Sequence, residues 1–214
     1  MKAYRVHEYG DAAKFIEDEV NKPSAKKGHV VVEVKASSLN PIDHKFLKRD
    51  LGINPALPGI LHMDVAGVIT EVGEGVTAFK TGDEIYGCAG GLQGEAGNIE
   101  GALADFMLAD SNLIALKPKS LSFSESAALP LVTITAWEGL FDRAHIKKED
   151  HVLIHGGTGG VGHIAIQLAR KHGARVATTV SSEDKAKVAR GLGAEDIIFY
   201  RDEKVEDYTQ RLTK

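Results

Sequence analysis

A glycine-rich turn between an apolar run and an amphipathic segment constrains the fold of this chain more than any other feature. The apolar run covers residues 151–155, and apolar residues recur with helical spacing over residues 161–172. This order predicts a strand, a tight turn and a helix. The turn itself reads Gly156-Gly157-Thr158-Gly159-Gly160-Val161-Gly162.

Three glycines of this turn, Gly157, Gly159 and Gly162, match the dinucleotide-binding pattern G-x-G-x-x-G. In that pattern the first glycine permits the turn, the second lets the backbone approach a pyrophosphate, and the third lets the helix pack on the strand. The helix N-terminus offers N–H groups and a positive dipole end to the phosphates. We therefore predict dinucleotide binding, whereas a glycine-rich turn in an ordinary βα unit is the alternative. The expected contact residues are Gly157, Thr158, Gly159, Gly160, Val161 and Gly162.

Strands and helices alternate from residue 151 onward, which predicts a parallel sheet. A complete dinucleotide-binding sheet has the strand order 3-2-1-4-5-6, but only three strands are predicted here. Strand 151–155 should therefore form an unpaired apolar edge, and such an edge invites self-association. The predicted elements are strands 151–155, 175–180 and 196–200 and helices 160–172, 183–190 and 205–212.

The first half of the chain reads as short strands separated by turns, which suggests a partly closed β-barrel. A glycine-rich stretch, 87–101, is equally compatible with a surface loop and with an active-site rim. The pattern changes near residue 120, so we predict two domains, 1–120 and 121–214. The predicted strands are 2–6, 29–36, 65–72, 84–86, 102–108 and 113–116.

Composition excludes several classes of function. The net charge is −4, so nucleic acids and acidic membrane surfaces are poor partners. No apolar run is long enough to cross a bilayer and the N-terminus lacks the apolar core of a signal peptide, so the cytoplasm is the expected compartment. The single cysteine, Cys88, excludes an internal disulfide and a Cys₄ zinc site.

Seven segments from residue 38 to residue 162 form an ordered set of motifs. They are Ser38-Leu39-Asn40-Pro41-Ile42-Asp43, 64–68, 72–76, 82–87, 127–130, 135–137 and 156–162. With these segments the chain resembles the medium-chain dehydrogenase/reductase superfamily, in its zinc-free quinone oxidoreductase-like branch. The resemblance implies an α/β plus β fold class: a GroES-like partly closed β-barrel that carries the catalytic surface, followed by an incomplete Rossmann parallel sheet. It also implies that the nicotinamide lies between the two domains and that the full-length protein is a homo-oligomer, a dimer.

Zinc-dependent members of this superfamily differ at two places. They have a cysteine where this chain has Asn40 or Pro41, and a Gly-His-Glu motif near His62-Met63-Asp64. A catalytic zinc needs three protein ligands, so no metal site is expected and His62 is interpreted as a packed or hydrogen-bonded histidine. Alcohol oxidation without a Lewis acid is disfavoured. The resemblance implies instead hydride transfer from NADPH to a small molecule, a quinone or an activated alkene of the enone type.

Three residues of the 40–44 stretch are candidate catalytic groups. Asn40 has an amide N–H to offer to a developing oxyanion, and Asp43 is placed to orient its neighbours. Many relatives have a tyrosine one or two positions after this aspartate, whereas here His44 and Lys45 follow it. His44 is competent as a replacement acid, and it is equally compatible with a solvated loop histidine. Asn40 is equally compatible with a turn residue before Pro41.

NADPH is the expected cofactor, since the end of the second strand lacks the acidic residue that usually binds the ribose of NAD. Glu183 and Asp184 suit the first turn of the following helix instead. The resemblance suggests that Ser181, Lys185 and Tyr200 surround the 2′-phosphate, and it adds Thr135 to the cofactor contacts.

Two alternatives belong to other classes of function. A non-catalytic NADP-binding sensor or structural protein is compatible with the departure at His44. An S-adenosylmethionine site is disfavoured, because methyltransferases commonly need a carboxylate at the end of strand two. Since half of the expected sheet is missing, we also expect the chain to be a fragment of a longer reductase. Such a fragment should bind the adenosine phosphate end weakly, turn over poorly and self-associate.

Overall fold

The computed structural model describes residues 1–94 and 97–213. These residues form two compact units, of which the first covers residues 1–131 and the second begins at Val132. The first unit is mainly β, and the second alternates helices with parallel strands.

The first unit contains ten strands in three antiparallel sheets. The largest sheet has the order β10-β6-β5-β3-β9, and β3 and β5 form its centre. A second sheet has the order β2-β1-β4, and β7 pairs with β8. The strands are β1 (Lys2–Val6), β2 (Phe15–Glu19), β3 (His29–Ser37), β4 (Gly59–Ile60), β5 (Asp64–Val72), β6 (Glu84–Cys88), β7 (Leu92–Gly94), β8 (Gly97–Ile99), β9 (Phe106–Asp110) and β10 (Ile114–Leu116).

The helices of the first unit are short. Helix α1 (Pro41–Lys48) leaves the end of β3, and α2 (Phe123–Ala127) follows β10. Ser122 and Glu125 form a reciprocal capping box at the start of α2. A single 3₁₀ turn, Ser111–Leu113, separates β9 from β10.

The first unit differs from the sequence predictions in several places. Helix α1, β2 and β4 were not predicted, and the strand expected over 102–108 lies at Phe106–Asp110. In the stretch 87–101, β7 pairs with β8, and residues 95–96 lie outside the described residues. Leu92 of β7 packs against the core cluster around Phe46, so this part of the stretch contributes to the core.

The second unit is built on a three-stranded parallel sheet with the order β11-β12-β13. This confirms the predicted alternation, and it places β11 at an edge of the sheet. The side chains of β11 are exposed or half-buried, with Leu153 38% exposed. Helix α3 (Pro130–Trp137) has its first two residues in the first unit and the rest in the second. The other elements of the second unit are a π-helical segment (Glu138–Arg143), β11 (His151–Ile154), α4 (Gly160–His172), β12 (Arg175–Val180), α5 (Glu183–Leu192), β13 (Asp196–Phe199) and α6 (Val205–Leu212).

The compact units divide eleven residues later than the predicted domain boundary near residue 120. Helix α2 packs against β3, β5 and β6, because its buried residues Ser126 and Ala127 face that sheet. Residues 121–131 therefore belong to the first unit by packing. The assignment of 1–120 as a catalytic domain and 121–214 as a nucleotide-binding domain stays a prediction. Among the described residues, no helix is both long enough and apolar enough to span a membrane.

Candidate functional site

The glycine turn after β11 is held by the neighbouring strand β12. Gly156 has φ +68°, in the left-handed region that favours glycine. Its N–H donates to Thr179 Oγ1 at 2.9 Å, and the N–H of Gly157 donates to the Thr179 carbonyl at 3.3 Å. The residue that turns the chain is thus Gly156, one position before the G-x-G-x-x-G pattern, and not Gly157 as the pattern predicted.

Gly157 and Gly162 are required by packing. A Cβ at Gly157 would overlap the side chains of Thr178 and Ile166, and a Cβ at Gly162 would overlap the Gly156 carbonyl oxygen. Gly162 therefore lets α4 approach the turn, in agreement with the predicted role of the third glycine. Because Gly157 has no Cβ, the turn can lie close to β12 and α4.

Gly159 and Gly160 leave the start of α4 open. Gly159 is the N-cap of α4 and supplies no side-chain hydrogen bond to the helix. Gly159, Gly160 and Val161 are exposed, while Thr158 is half-buried. The first N–H groups of a helix have no intrahelical acceptor, and here no capping side chain covers them. The geometry therefore fits an anionic group such as a pyrophosphate.

Three predicted cofactor residues follow the carboxyl ends of the parallel strands β12 and β13. Ser181 follows β12 and Tyr200 follows β13, and the Tyr200 N–H donates to the Val180 carbonyl at 3.4 Å. Lys185 is exposed on the first turn of α5. The structure adds Arg201, whose guanidinium lies 5.8 Å from the centre of the Tyr200 ring. The motif pattern did not select Arg201, although a cation next to the predicted Tyr200 was a usable signal.

Thr135 lies on α3 and is exposed. Val132, on the same helix, reaches the glycine turn: its Cγ1 lies 3.4 Å from where a Cβ of Gly160 would be. Residues three apart share a helix face, so Thr135 is on the side of α3 that Val132 presents to the turn. This placement is compatible with the predicted cofactor contact.

In the first unit, Asp43 fixes the start of α1. Its Oδ2 accepts a hydrogen bond from the Asn40 backbone N–H at 2.8 Å, and its Oδ1 accepts one from the His62 N–H at 3.2 Å. Asp43 is fully buried. The carboxylate therefore holds two backbone segments together, and its role in catalysis stays a prediction.

The side chain of Asn40 is engaged within the protein. Its Nδ2 donates to Asp64 Oδ2 at 2.9 Å and to Ser38 Oγ at 3.3 Å, and the residue is only 5% exposed. These two bonds account for both amide hydrogens. The donor role predicted for Asn40 requires one of them to be released.

Asp64 is the centre of this buried network and was missed by the site prediction. Its Oδ2 also accepts from Ser38 Oγ at 2.7 Å, and its Oδ1 accepts from the Leu131 N–H at 2.9 Å. Burial raises the pKa of Asp64, and the hydrogen bonds from Ser38, Asn40 and Leu131 oppose that rise. A carboxylate at the head of the apolar strand β5 was the sequence signal that could have found it.

His62 occupies a left-handed backbone conformation, with φ +69°. Its Nδ1 shares a hydrogen bond with Ser37 Oγ at 3.0 Å, as expected of a hydrogen-bonded histidine. Burial lowers the pKa of His62, and the charges of Asp43 and Asp64 oppose that change. Aligning the Gly-His-Glu motif with residues 62–64 places its glycine at the position of His62. Position 62 therefore has a backbone conformation that favours glycine.

We predict that His62→Gly is more stable than His62→Ala by about 1 kcal/mol. Both changes remove the imidazole, but only alanine places a Cβ in the left-handed region, which costs about 1–2 kcal/mol. Urea unfolding of the two variants measures the difference. Equal stability, or a more stable alanine variant, would mean that the backbone at residue 62 is unstrained.

His44 and Lys45 are exposed on α1. The structure therefore places His44 on a helix and not on a loop, outside the buried network of Asn40, Asp43 and Asp64. Its predicted role as a proton donor stays a prediction.

Cys88 is half-buried beside Asp64. Burial, followed by the nearby carboxylate of Asp64, raises the pKa of its thiol to about 12. A thiol with such a pKa is protonated at neutral pH and is therefore a poor nucleophile. Within residues 1–94 and 97–213, no three His, Cys, Asp or Glu side chains are grouped so that they could hold a metal ion.

Family models match both units. The alcohol dehydrogenase GroES-like domain matches residues 26–119, and the zinc-binding dehydrogenase model matches residues 160–214. Together with the sheets described above, these matches confirm the predicted fold class, a GroES-like β unit followed by a Rossmann-type parallel sheet. The five-stranded sheet ends at β9 and β10, so in the described residues the barrel is not closed.

Curated relatives match almost the whole chain but are longer. The chain is 40% identical to a 2-methylene-furan-3-one reductase of Solanum lycopersicum, over 97% of the chain and 54% of that protein. It is 34% identical to the quinone oxidoreductase of Rattus norvegicus, over 94% of the chain and 59% of that protein. The chain thus spans between half and three fifths of the length of these relatives.

Related proteins of known structure also match the whole chain and are longer than it. A structure of an alcohol dehydrogenase superfamily protein from Novosphingobium aromaticivorans is 39% identical, with a TM-score of 0.90, over 100% of this chain and 62% of that one. The Escherichia coli quinone oxidoreductase complexed with NADPH is 29% identical, with a TM-score of 0.84, over 100% of this chain and 63% of that one.

Proposed function

The chain belongs to the medium-chain dehydrogenase/reductase superfamily, among its quinone oxidoreductase-like members, and from this premise we propose an NADPH-dependent reductase. The proposed reaction transfers hydride to a quinone or to an activated alkene of the enone type, without zinc. The observation that carries the proposal is the open glycine turn at the start of α4, where exposed Gly159 and uncapped helical N–H groups fit a pyrophosphate.

The carboxyl edge of the sheet supports NADPH over NADH. Lys185 and Arg201 bring positive charge to the ends of β12 and β13, beside Ser181 and Tyr200. A 2′-phosphate is an anion that these cations would pair with, whereas a ribose hydroxyl needs an acidic acceptor there. Relatives named for this cofactor include an NADPH-dependent alkenal/one oxidoreductase of Arabidopsis thaliana.

We predict that Lys185→Glu weakens NADPH binding about tenfold or more and leaves NADH binding nearly unchanged. Only NADPH carries the phosphate, and a charge-assisted hydrogen bond contributes about 1.5–3 kcal/mol. Titration calorimetry with both nucleotides measures the effect. Lys187→Glu makes the same charge change two residues further along α5, where Lys187 pairs with Asp184, and serves as the control. Equal losses for NADPH and NADH in Lys185→Glu would place Lys185 outside the phosphate site.

The chemistry of the first unit supports reduction without a metal. The one cysteine carries a protonated thiol, and the residues around it are hydrogen-bonded to one another. When bound, NADPH supplies the hydride that an enone accepts at its β-carbon. The protein then has to exclude water and to supply a proton to the resulting enolate. Of the three predicted catalytic residues, Asn40 and Asp43 are buried and hydrogen-bonded within the protein, whereas His44 is exposed. His44 is therefore the group proposed to supply the proton.

A turnover assay tests the proposal against the alternative of a non-catalytic NADP-binding sensor. The chain is mixed with NADPH and a panel of quinones and enones, with and without a zinc chelator, and the loss of NADPH is followed. We expect consumption of NADPH that depends on the acceptor and is insensitive to the chelator. Saturable NADPH binding without consumption would favour the sensor, and loss of activity with the chelator would contradict a zinc-free reaction.

A further inference from the structure

Asp64 joins the segment that carries Asn40 to the beginning of α3. We propose that Asp64 is a positioning residue of the reductase site, whose carboxylate fixes the Asn40 side chain and the first turn of α3 in one arrangement. This inference rests on the proposed function, because the position of Asn40 matters to the reaction only if the site binds nucleotide and substrate.

The hydrogen bonds of Asp64 come from parts of the chain that are far apart in sequence. Its Oδ2 receives the Asn40 amide and the Ser38 hydroxyl, and its Oδ1 receives the N–H of Leu131, 67 residues away. The carboxylate is therefore shared between two segments, one oxygen for each. A displacement of this side chain moves both segments at once.

The hydrogen bond from Leu131 is made at the start of α3, where the N–H groups of a helix need acceptors outside it. Leu131 is the second residue of α3, so its N–H has no acceptor within the helix. A carboxylate at this end is also favoured by the helix dipole. The carboxylate of Asp64 therefore fixes how α3 begins at Leu131.

Asp64 is fully buried, and its successors in β5, Val65 and Ala66, are apolar and equally buried. Loss of its carboxylate would leave the donors of Ser38, Asn40 and Leu131 without their acceptor, so Asp64 also stabilises the fold. A fully bonded buried network in addition holds one arrangement of its donors. Asn40 is fixed on its other side by Asp43, through the backbone N–H.

The test uses Asp64→Asn, which keeps the size of the side chain but places an amide NH₂ against the Asn40 amide. Two properties are measured: the single-turnover rate of hydride transfer at saturating NADPH, and the hydrogen exchange of the Leu131 amide. We expect the rate to fall about tenfold or more, because small displacements of positioned groups have effects of this size, and the Leu131 amide to exchange faster. The control is Asp105→Asn, since Asp105 accepts the Lys2 N–H at an exposed site, and both properties should stay unchanged in it.

In a double variant, Asp64→Asn with Asn40→Asp, the amide at position 64 can donate to the carboxylate at position 40. This variant should therefore recover the protection of the Leu131 amide against hydrogen exchange. A folded Asp64→Asn variant with an unchanged rate and unchanged Leu131 exchange would overturn the proposal. If Asp64→Asn does not fold, the double variant is compared with Asn40→Asp alone, and absence of recovery overturns it. If the wild-type chain transfers no hydride, the proposed function fails, and the Leu131 exchange still decides whether Asp64 fixes α3.

Discussion

Replacing Gly159 by valine is expected to abolish NADPH binding while the chain stays folded. Gly159 has φ −79° and ψ 174°, which valine adopts without strain. The nearest atom to a Cβ at this position is the Gly156 carbonyl oxygen at 3.2 Å, so the fold needs only a small local adjustment. The valine side chain would stand over the open start of α4, where the pyrophosphate is proposed to approach the backbone.

The expected loss of affinity is at least about a hundredfold, which corresponds to about 2.7 kcal/mol. Titration calorimetry measures it, and circular dichroism checks the fold. Gly191→Val is the control, because Gly191 is an exposed glycine of α5 with no atom within 4 Å of a built Cβ. NADPH affinity that survives in Gly159→Val would place the pyrophosphate elsewhere.

Gly162→Ala is expected to lower the free energy of unfolding of the second unit by about 1–2 kcal/mol. A Cβ at this position overlaps the Gly156 carbonyl oxygen, which is backbone and cannot rotate away. Overpacking of this kind typically costs about 1–3 kcal/mol, and it outweighs the gain of up to about 1 kcal/mol that alanine brings to a helix.

The matched comparison is Gly191→Ala in α5, where the added methyl meets open space. This variant should be more stable than the wild type by about 0.5–1 kcal/mol, because alanine restricts the unfolded chain. Guanidinium unfolding of both variants measures whether each change raises or lowers the free energy of unfolding. A stabilising Gly162→Ala would show that α4 and the turn are further apart than described.

The second unit was predictable because its signals are local. The bounds of α4 and β12 agree with the prediction, since helical periodicity ends at Gly173, which adopts φ +98° as a C-cap. The position of the left-handed glycine was not predictable, because the bonds that Thr179 makes to Gly156 and Gly157 come from the next strand. The pattern G-x-G-x-x-G identifies the turn but not which glycine turns it.

The buried network of the first unit could not be derived from sequence spacing. Helix α1 is eight residues long and begins at Pro41, so its residues were interpreted as a loop. The partners of Asp64 lie at residues 38, 40 and 131. The pairing of β3 with β5 brings the first two near Asp64, and the third follows α2, which packs against β5. The resemblance located the segment that carries Asn40 and Asp43, whereas their hydrogen bonds became evident only in the structure.

The most direct test of the proposed hydride transfer is a single turnover with NADPH that carries deuterium at the transferable position. The chain is used in excess over an enone substrate, so that even slow transfer accumulates product, and mass spectrometry locates the label. The proposed function predicts one deuterium at the β-carbon of the product and none in a reaction with Gly159→Val. A product without deuterium, or bound NADPH that transfers none to any enone or quinone, would contradict it.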